Sequence, residues 1–175
     1  LKDFRMNEKI KTITNISILC VISYILTISF RIPISSFLKY DPKDIIITLG
    51  GLIFNPAVCL LVTVIVCFLE MLTIGSTGIF GLLMNILSTL TFSITASIIN
   101  KKLNSKYSLL IGLLFAMIFS TLFMIIINII IIPFYMKIAW EPSINLILWV
   151  FLPFNILKCF INSLLIILFY RVIKS

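Results

Sequence analysis

Histidine is absent from these 175 residues, and with it the commonest metal ligand and the commonest general base. Carboxylates are scarce, six Asp and Glu against fourteen Lys and Arg. No two of them pair inside an apolar segment and no G-x-S-x-G occurs, so the parts for acid–base or acyl-transfer catalysis are missing. Neither G-x-x-x-x-G-K-[ST] nor G-x-G-x-x-G is present, which excludes ATP binding by a P-loop. The four cysteines, Cys20, Cys59, Cys67 and Cys159, all lie in apolar runs without C-x-x-C spacing. They indicate neither a zinc site nor a disulfide framework. The first apolar run is too long for a signal-peptide core, and no small-residue cleavage site follows it. These absences point away from an enzyme and from a resident metal or cofactor.

What is present is apolar. Hydrophobic residues make up 61% of the chain, mean hydropathy is +1.24, and 11% of residues are charged. Soluble domains sit near about 45–50% apolar. The chain therefore reads as an all-α integral membrane protein, one membrane domain over residues 1–175. Its net charge of +8 does not signal nucleic acid, because the basic residues mark the ends of apolar runs and form no stripe interleaved with aromatics.

Apolar segments fall at about 12–30, 45–54, 56–72, 78–99, 107–132 and 146–172, with Pro133 ending the fifth. Residues 1–11 read as a mostly basic lead-in, and 31–44 and 134–145 as polar loops. The region 45–72 is one long span or a short helix followed by a full one, and the charges decide. With a break at Asn55-Pro56 and an internal N-terminus, the inner side holds nine basic residues (Lys2, Arg5, Lys9, Lys11, Lys101, Lys102, Lys106, Arg171 and Lys174). The outer side holds four, Arg31, Lys39, Lys43 and Lys137. Merging the region reverses the bias, against the positive-inside rule. A compact bundle of six helices results, its second member too short to span and so expected to be buried. The two three-span halves show no internal repeat, so an inverted-repeat transporter is not supported.

On this topology polarity collects at one end. Lys39, Tyr40 and Asp41 lie in the first outer loop, Glu70 and Thr77 flank the second outer turn, and Asn85 lies two turns into the fourth span. Tyr135 is in the third outer loop, with Trp140 beyond it. In the last span Asn155, Lys158 and Asn162 stand at i, i+3 and i+7, on one helix face. An unpaired ammonium in hydrocarbon costs at least about 2.5–3.5 kcal/mol, so Lys158 faces a ligand cavity, a partner or, by snorkelling, the headgroups. The flanking asparagines favour a ligand. Individually, Tyr40 also suits an interfacial anchor, Glu70 an interfacial carboxylate, and Asn85 interhelical glue. Ser88, Thr89, Thr91, Ser93 and Thr95 are expected to bond mostly to their own backbone. Aromatics to stack on a ring, amides to read its edges and a Lys–carboxylate pair suit a small, flat, polar-edged metabolite in an outward-open cup closed below.

The motifs Phe37-Leu38-Lys39-Tyr40-Asp41-Pro42-Lys43-Asp44, Leu49-Gly50-Gly51 with Asn55-Pro56, and Gly75-Ser76-Thr77-Gly78 with Gly81 and Asn85 carry a resemblance. So do Ile132-Pro133-Phe134-Tyr135-Met136 and, most specifically, Leu152-Pro153-Phe154-Asn155-Ile156-Leu157-Lys158 with Asn162-Ser163. Over nearly its whole length the chain resembles the S components of energy-coupling factor (ECF) vitamin transporters, above all the riboflavin-binding ones. The resemblance implies a substrate-binding subunit that captures a vitamin, riboflavin first, at the outer face of a bacterial plasma membrane. It implies delivery with a transmembrane coupling subunit and two ATPase subunits, ATP being bound only by those partners. Another flat metabolite, such as folate, a pyridoxine-like compound or a queuosine precursor, is the alternative cargo, and a structural membrane subunit without a ligand is the alternative class. The resemblance points to Lys39, Asn85, Asn155 and Lys158 as ligand contacts. Where the family often has Ala-x-x-x-Ala on the first span as a docking face, this chain offers Ser17 and Val21, with Cys20 beside them.

Overall fold

A computed structural model describes residues 2–35, 38–103 and 105–174, with side chains between Ile10 and Ile173. Phe37, in the first-loop motif, lies outside the described residues. The elements are α1 (Lys2–Phe30), a two-residue hairpin of β1 (Ile32–Pro33) and β2 (Lys39–Tyr40), α2 (Lys43–Ile53), α3 (Pro56–Thr73), α4 (Gly78–Lys102), α5 (Ser108–Met136), α6 (Trp140–Leu146) and α7 (Leu152–Lys174). A π-helical turn, Ile147–Phe151, joins α6 to α7, so six helical segments result. Five are long and apolar enough to cross a membrane: Ile10–Phe30, Pro56–Thr73, Gly78–Lys102, Ser108–Met136 and Trp140–Ile173.

The short helix is the hub. At about 1.5 Å per residue, α2 reaches only about half of a ~30 Å hydrocarbon core. It survives there because α1, α3, α4 and α7 all pack against it. Ile45 and Leu49 on one face join Phe92, Leu113, Ala116, Cys159 and Ile166, while Ile47 on the other joins Cys20, Val58, Cys59, Val62 and Val66. Gly51 lies where a Cβ would strike Cys59 and Ser97, so the close approach of α2 to α3 and α4 demands glycine. Asn55-Pro56 makes the break read from the sequence: Pro56 opens α3, and the Asn55 side chain accepts from the Ala57 N–H at 3.3 Å. Large apolar side chains of α5, Phe115, Phe119, Leu122 and Ile126, point outward and are over half exposed, as in a bundle solvated by lipid.

Three boundaries differ from the sequence reading. The basic lead-in is helical, so α1 starts at Lys2 and the first span is only its continuation. Pro133 does not end the fifth span. It sits in the last turn of α5, where one lost N–H bond is a small addition to carbonyls already unpaired, and the helix stops at Lys137 in the left-handed region (φ 54). The third outer loop shrinks to residues 137–139, because Trp140-Glu141-Pro142 starts α6 with proline in the first turn. Pro153 would then break α-helical bonding, and the π-turn immediately before it absorbs the misfit.

Candidate functional site

Residues 31–35 and 38–42 cap the end of the bundle where α4 begins and α5 ends. Beneath them lies a cavity of about 120 Å³. Its lining comes from Arg31, Leu38, Lys39 and Asp41 of the cap, Ser76 to Ser88 at the start of α4, Met124 to Met136 at the end of α5, and Phe151 to Lys158 at the start of α7. Met84, Met124, Ile132, Phe151 and Phe154 make the walls apolar, and Tyr135 tilts against Phe80 at 5.7 Å between ring centroids. One water needs about 10–15 Å³ by such a measure, so the cavity as it stands takes a small molecule, and a larger guest needs its walls to give way.

Four polar side chains set the chemistry. Asn85 Nδ2 donates to Glu70 Oε2 at 2.8 Å, and Asn155 Nδ2 donates to the Phe151 carbonyl at 2.8 Å. A carboxylate and a carbonyl can only accept, so each amide is oriented with its Oδ1 left as an acceptor. Lys158 Nζ lies 2.9 Å from Asp44 Oδ2 and 3.4 Å from Ser88 Oγ, leaving one of its three donors. Asn128, fully buried in the cavity wall, has no partner among the described residues for either amide atom. Such orphaned groups cost about 1–3 kcal/mol each, a cost that a ligand carrying both a donor and an acceptor would remove. The set fits a heterocycle edge of alternating N–H and C=O groups.

Under the floor runs a charged network that the sequence did not disclose. Asp44, at the second position of α2, accepts from Thr89 Oγ1 (2.7 Å) and Asn162 Nδ2 (3.3 Å) as well as pairing with Lys158. Tyr40 donates its hydroxyl to Asn162 Oδ1 at 2.8 Å. Burial, then Asp44 and Asp41, push the Tyr40 phenol up to about 12, so it stays a donor at neutral pH. Lys43, fully buried, meets Glu70 at 2.8 Å and Asp41 at 3.3 Å. Arg31 Nε is 2.9 Å from Asp41 Oδ1, off the line of a directed hydrogen bond, so that pair is held by Coulomb attraction. Arg31 also donates to the Ile74 carbonyl (3.2 Å), and Lys39 donates to Ser76 Oγ (2.9 Å). These two contacts tie the cap to the α3–α4 turn across the cavity mouth.

The sequence model for "ECF transporter, substrate-specific component" matches residues 11–170. The chain belongs to that family. This S component is also similar to a solved structure described as the S component of a bacterial ECF transporter, at 29% identity and a TM-score of 0.81, covering 95% of this chain and 96% of that one. No protein of curated function matches it. Family and fold together make it a multi-pass, substrate-binding membrane subunit.

Of the residues picked from the S-component sequence, Lys39, Asp41, Thr77, Asn85, Tyr135, Asn155 and Lys158 line one cavity. Tyr40, Glu70 and Asn162 do not. All three are buried farther out: Glu70 holds Asn85, Asn162 holds Asp44, the counter-ion of Lys158, and Tyr40 holds Asn162. Tyr40 is therefore no interfacial anchor and Glu70 no interfacial carboxylate. Lys43, counted among outer-loop charges, is inside the protein because Glu70 and Asp41 neutralise it there. Lys158 is not snorkelling, since it is buried against Asp44. Thr91 bonds to its own helix as expected, but Thr89 serves Asp44, Ser93 bonds Thr48 at 2.8 Å, and Ser88 accepts from Lys158. On α1, Ser17 and Val21 are exposed whereas Cys20 packs inward against α2 and α3, so it is not on the outward face. Asn128 was missed, although a single amide inside Ile-Ile-Ile-Asn-Ile-Ile-Ile-Ile was itself a signal.

Proposed function

We propose that this S component captures riboflavin from the outside of a bacterial plasma membrane and hands it on with separate coupling and ATPase subunits. The observation that carries the reading is Asn128, an amide with both atoms unpartnered at zero exposure, facing the same cavity as Lys158, Asn155 and Asn85. An imide-like ring edge supplies a carbonyl to Lys158 and Asn128 and an N–H to an amide oxygen. The methionine and phenylalanine walls suit the faces of a flat ring. The charge bias of the sequence supports an outward-facing cavity and cytoplasmic termini, as capture requires.

The test is direct. Detergent-purified protein from riboflavin-fed cells is expected to be yellow and, once stripped, to quench flavin fluorescence stoichiometrically. A colourless protein that quenches no flavin would remove riboflavin from the reading while leaving the family role intact.

A further inference from the structure

We infer that the end of the bundle opposite the cavity carries a binding site for an anionic phospholipid. A groove of about 810 Å³ lies there between the α4–α5 turn and the end of α7, several times the volume of the cavity at the other end. Its lining is mixed, with the aliphatic side chains of Leu103, Leu109, Leu110 and Ile167 beside the polar Asn100 and Ser108, and Leu109 and Ile167 are half-buried. Its rim holds two exposed cations from distant parts of the chain, Lys106 and Arg171, with Ser105 and Tyr107 beside Lys106. The Lys106 ammonium sits 5.1 Å from the centroid of the Tyr107 ring, which holds it at the groove edge.

Among the described residues no carboxylate pairs with either cation. Asp41, Asp44 and Glu70 are engaged around the cavity, at the far end of the bundle. Lys101 and Lys102, in the last turn of α4, add to the positive field. The groove lies at the ends of three membrane-crossing helices, α4, α5 and α7, where the spans emerge toward the lipid headgroups. Two cations on the rim of a groove that also presents four aliphatic side chains complement a phosphodiester carrying acyl chains, and basic pockets between membrane helices bind such headgroups. A water-soluble phosphate would leave Leu103, Leu109, Leu110 and Ile167 uncovered.

The experiment uses the full chain reconstituted in nanodiscs of mixed phosphatidylglycerol and phosphatidylcholine, released into mild detergent and weighed by native mass spectrometry. Wild-type protein is expected to retain phosphatidylglycerol about tenfold or more over phosphatidylcholine, and Lys106→Gln with Arg171→Gln to bring the two near parity. Both positions are exposed, and an unchanged melting temperature checks the fold. Equal retention by wild type and variant overturns the inference, as does equal retention of the two lipids. Displacement of phosphatidylglycerol by equimolar inorganic phosphate overturns it by showing that only the anion is read. Unchanged lipid retention with loss of the coupling subunits would assign the groove to a protein instead.

Discussion

Replacing Lys158 by Met keeps the apolar stem and removes the ammonium, and the structure separates two consequences. The first concerns the fold: Asp44, fully buried, loses its 2.9 Å counter-ion. Breaking a buried pair from one side costs about 3–5 kcal/mol. Thr89 and Asn162 still donate to the carboxylate, so the lower end of that range is expected. The second concerns the ligand, which loses a charged donor worth about 1.5–3 kcal/mol, or one to two decades of affinity. Adding Asp44→Asn tells the two apart. With both charges gone, an amide remains to meet Thr89 and Asn162, and stability should return to within about 1 kcal/mol of wild type. Affinity should stay one to two decades low, because the ligand's partner is still missing. Thermal unfolding in detergent and calorimetric titration with riboflavin read the two quantities. A single variant as stable as wild type would refute the buried pair, and a double variant with unchanged affinity would refute the contact.

Three other substitutions and one titration test separate parts of the reasoning. Asn128→Leu removes an unsatisfied buried amide, so the empty protein should be as stable as wild type or more so while riboflavin affinity drops at least about tenfold; unchanged affinity would take Asn128 out of the site. Ser17→Trp, on the exposed face of α1, should abolish uptake in cells expressing the coupling subunits yet leave the dissociation constant unchanged, and equal loss of both would move the docking face. Ser105→Cys in a background without native cysteines should resist impermeant thiol reagents added to intact cells, whereas efficient labelling would invert the topology. The Tyr40 phenol, raised to about 12, contributes stability that is complete below about pH 10 and lost as pH climbs toward 12. Tyr40→Phe should flatten that alkaline loss in a melting-temperature profile.

The segment count was legible because its signals are local. Hydropathy finds the long helices, and Asn55-Pro56 announces both the end of one helix and the cap of the next. Charge bias then chose between one helix and two, and the structure has two. Proline misled the reading once, at Pro133. Pro133 and Pro153 each remove a hydrogen bond, but a helix end or a π-turn tolerates the loss, so the punctuation is weaker than sequence rules give it.

The cavity residues were legible in part because i, i+3 spacing fixes shared faces: Asn155 and Lys158 meet one space wherever the helix packs. Spacing says nothing of partners from distant segments. Asp44 looked like the last residue of a polar loop, and only its packing reveals it as the counter-ion of Lys158 and an acceptor for Asn162, 118 residues on. The same holds for Lys43 with Glu70. A charge beside a loop and one in an apolar run differ greatly in cost when unpaired, so the sequence flags the second and hides the first. The asymmetry has a physical consequence. Lys158 and Glu70 appear as isolated anomalies in the chain, while Lys43 and Asp44, adjacent at the start of α2, satisfy both at once. Neither charge on the short helix could be moved without stranding one on a long helix. A helix too short to span therefore holds its place by four surrounding helices and by two ion pairs, one of which sits in the floor of the cavity.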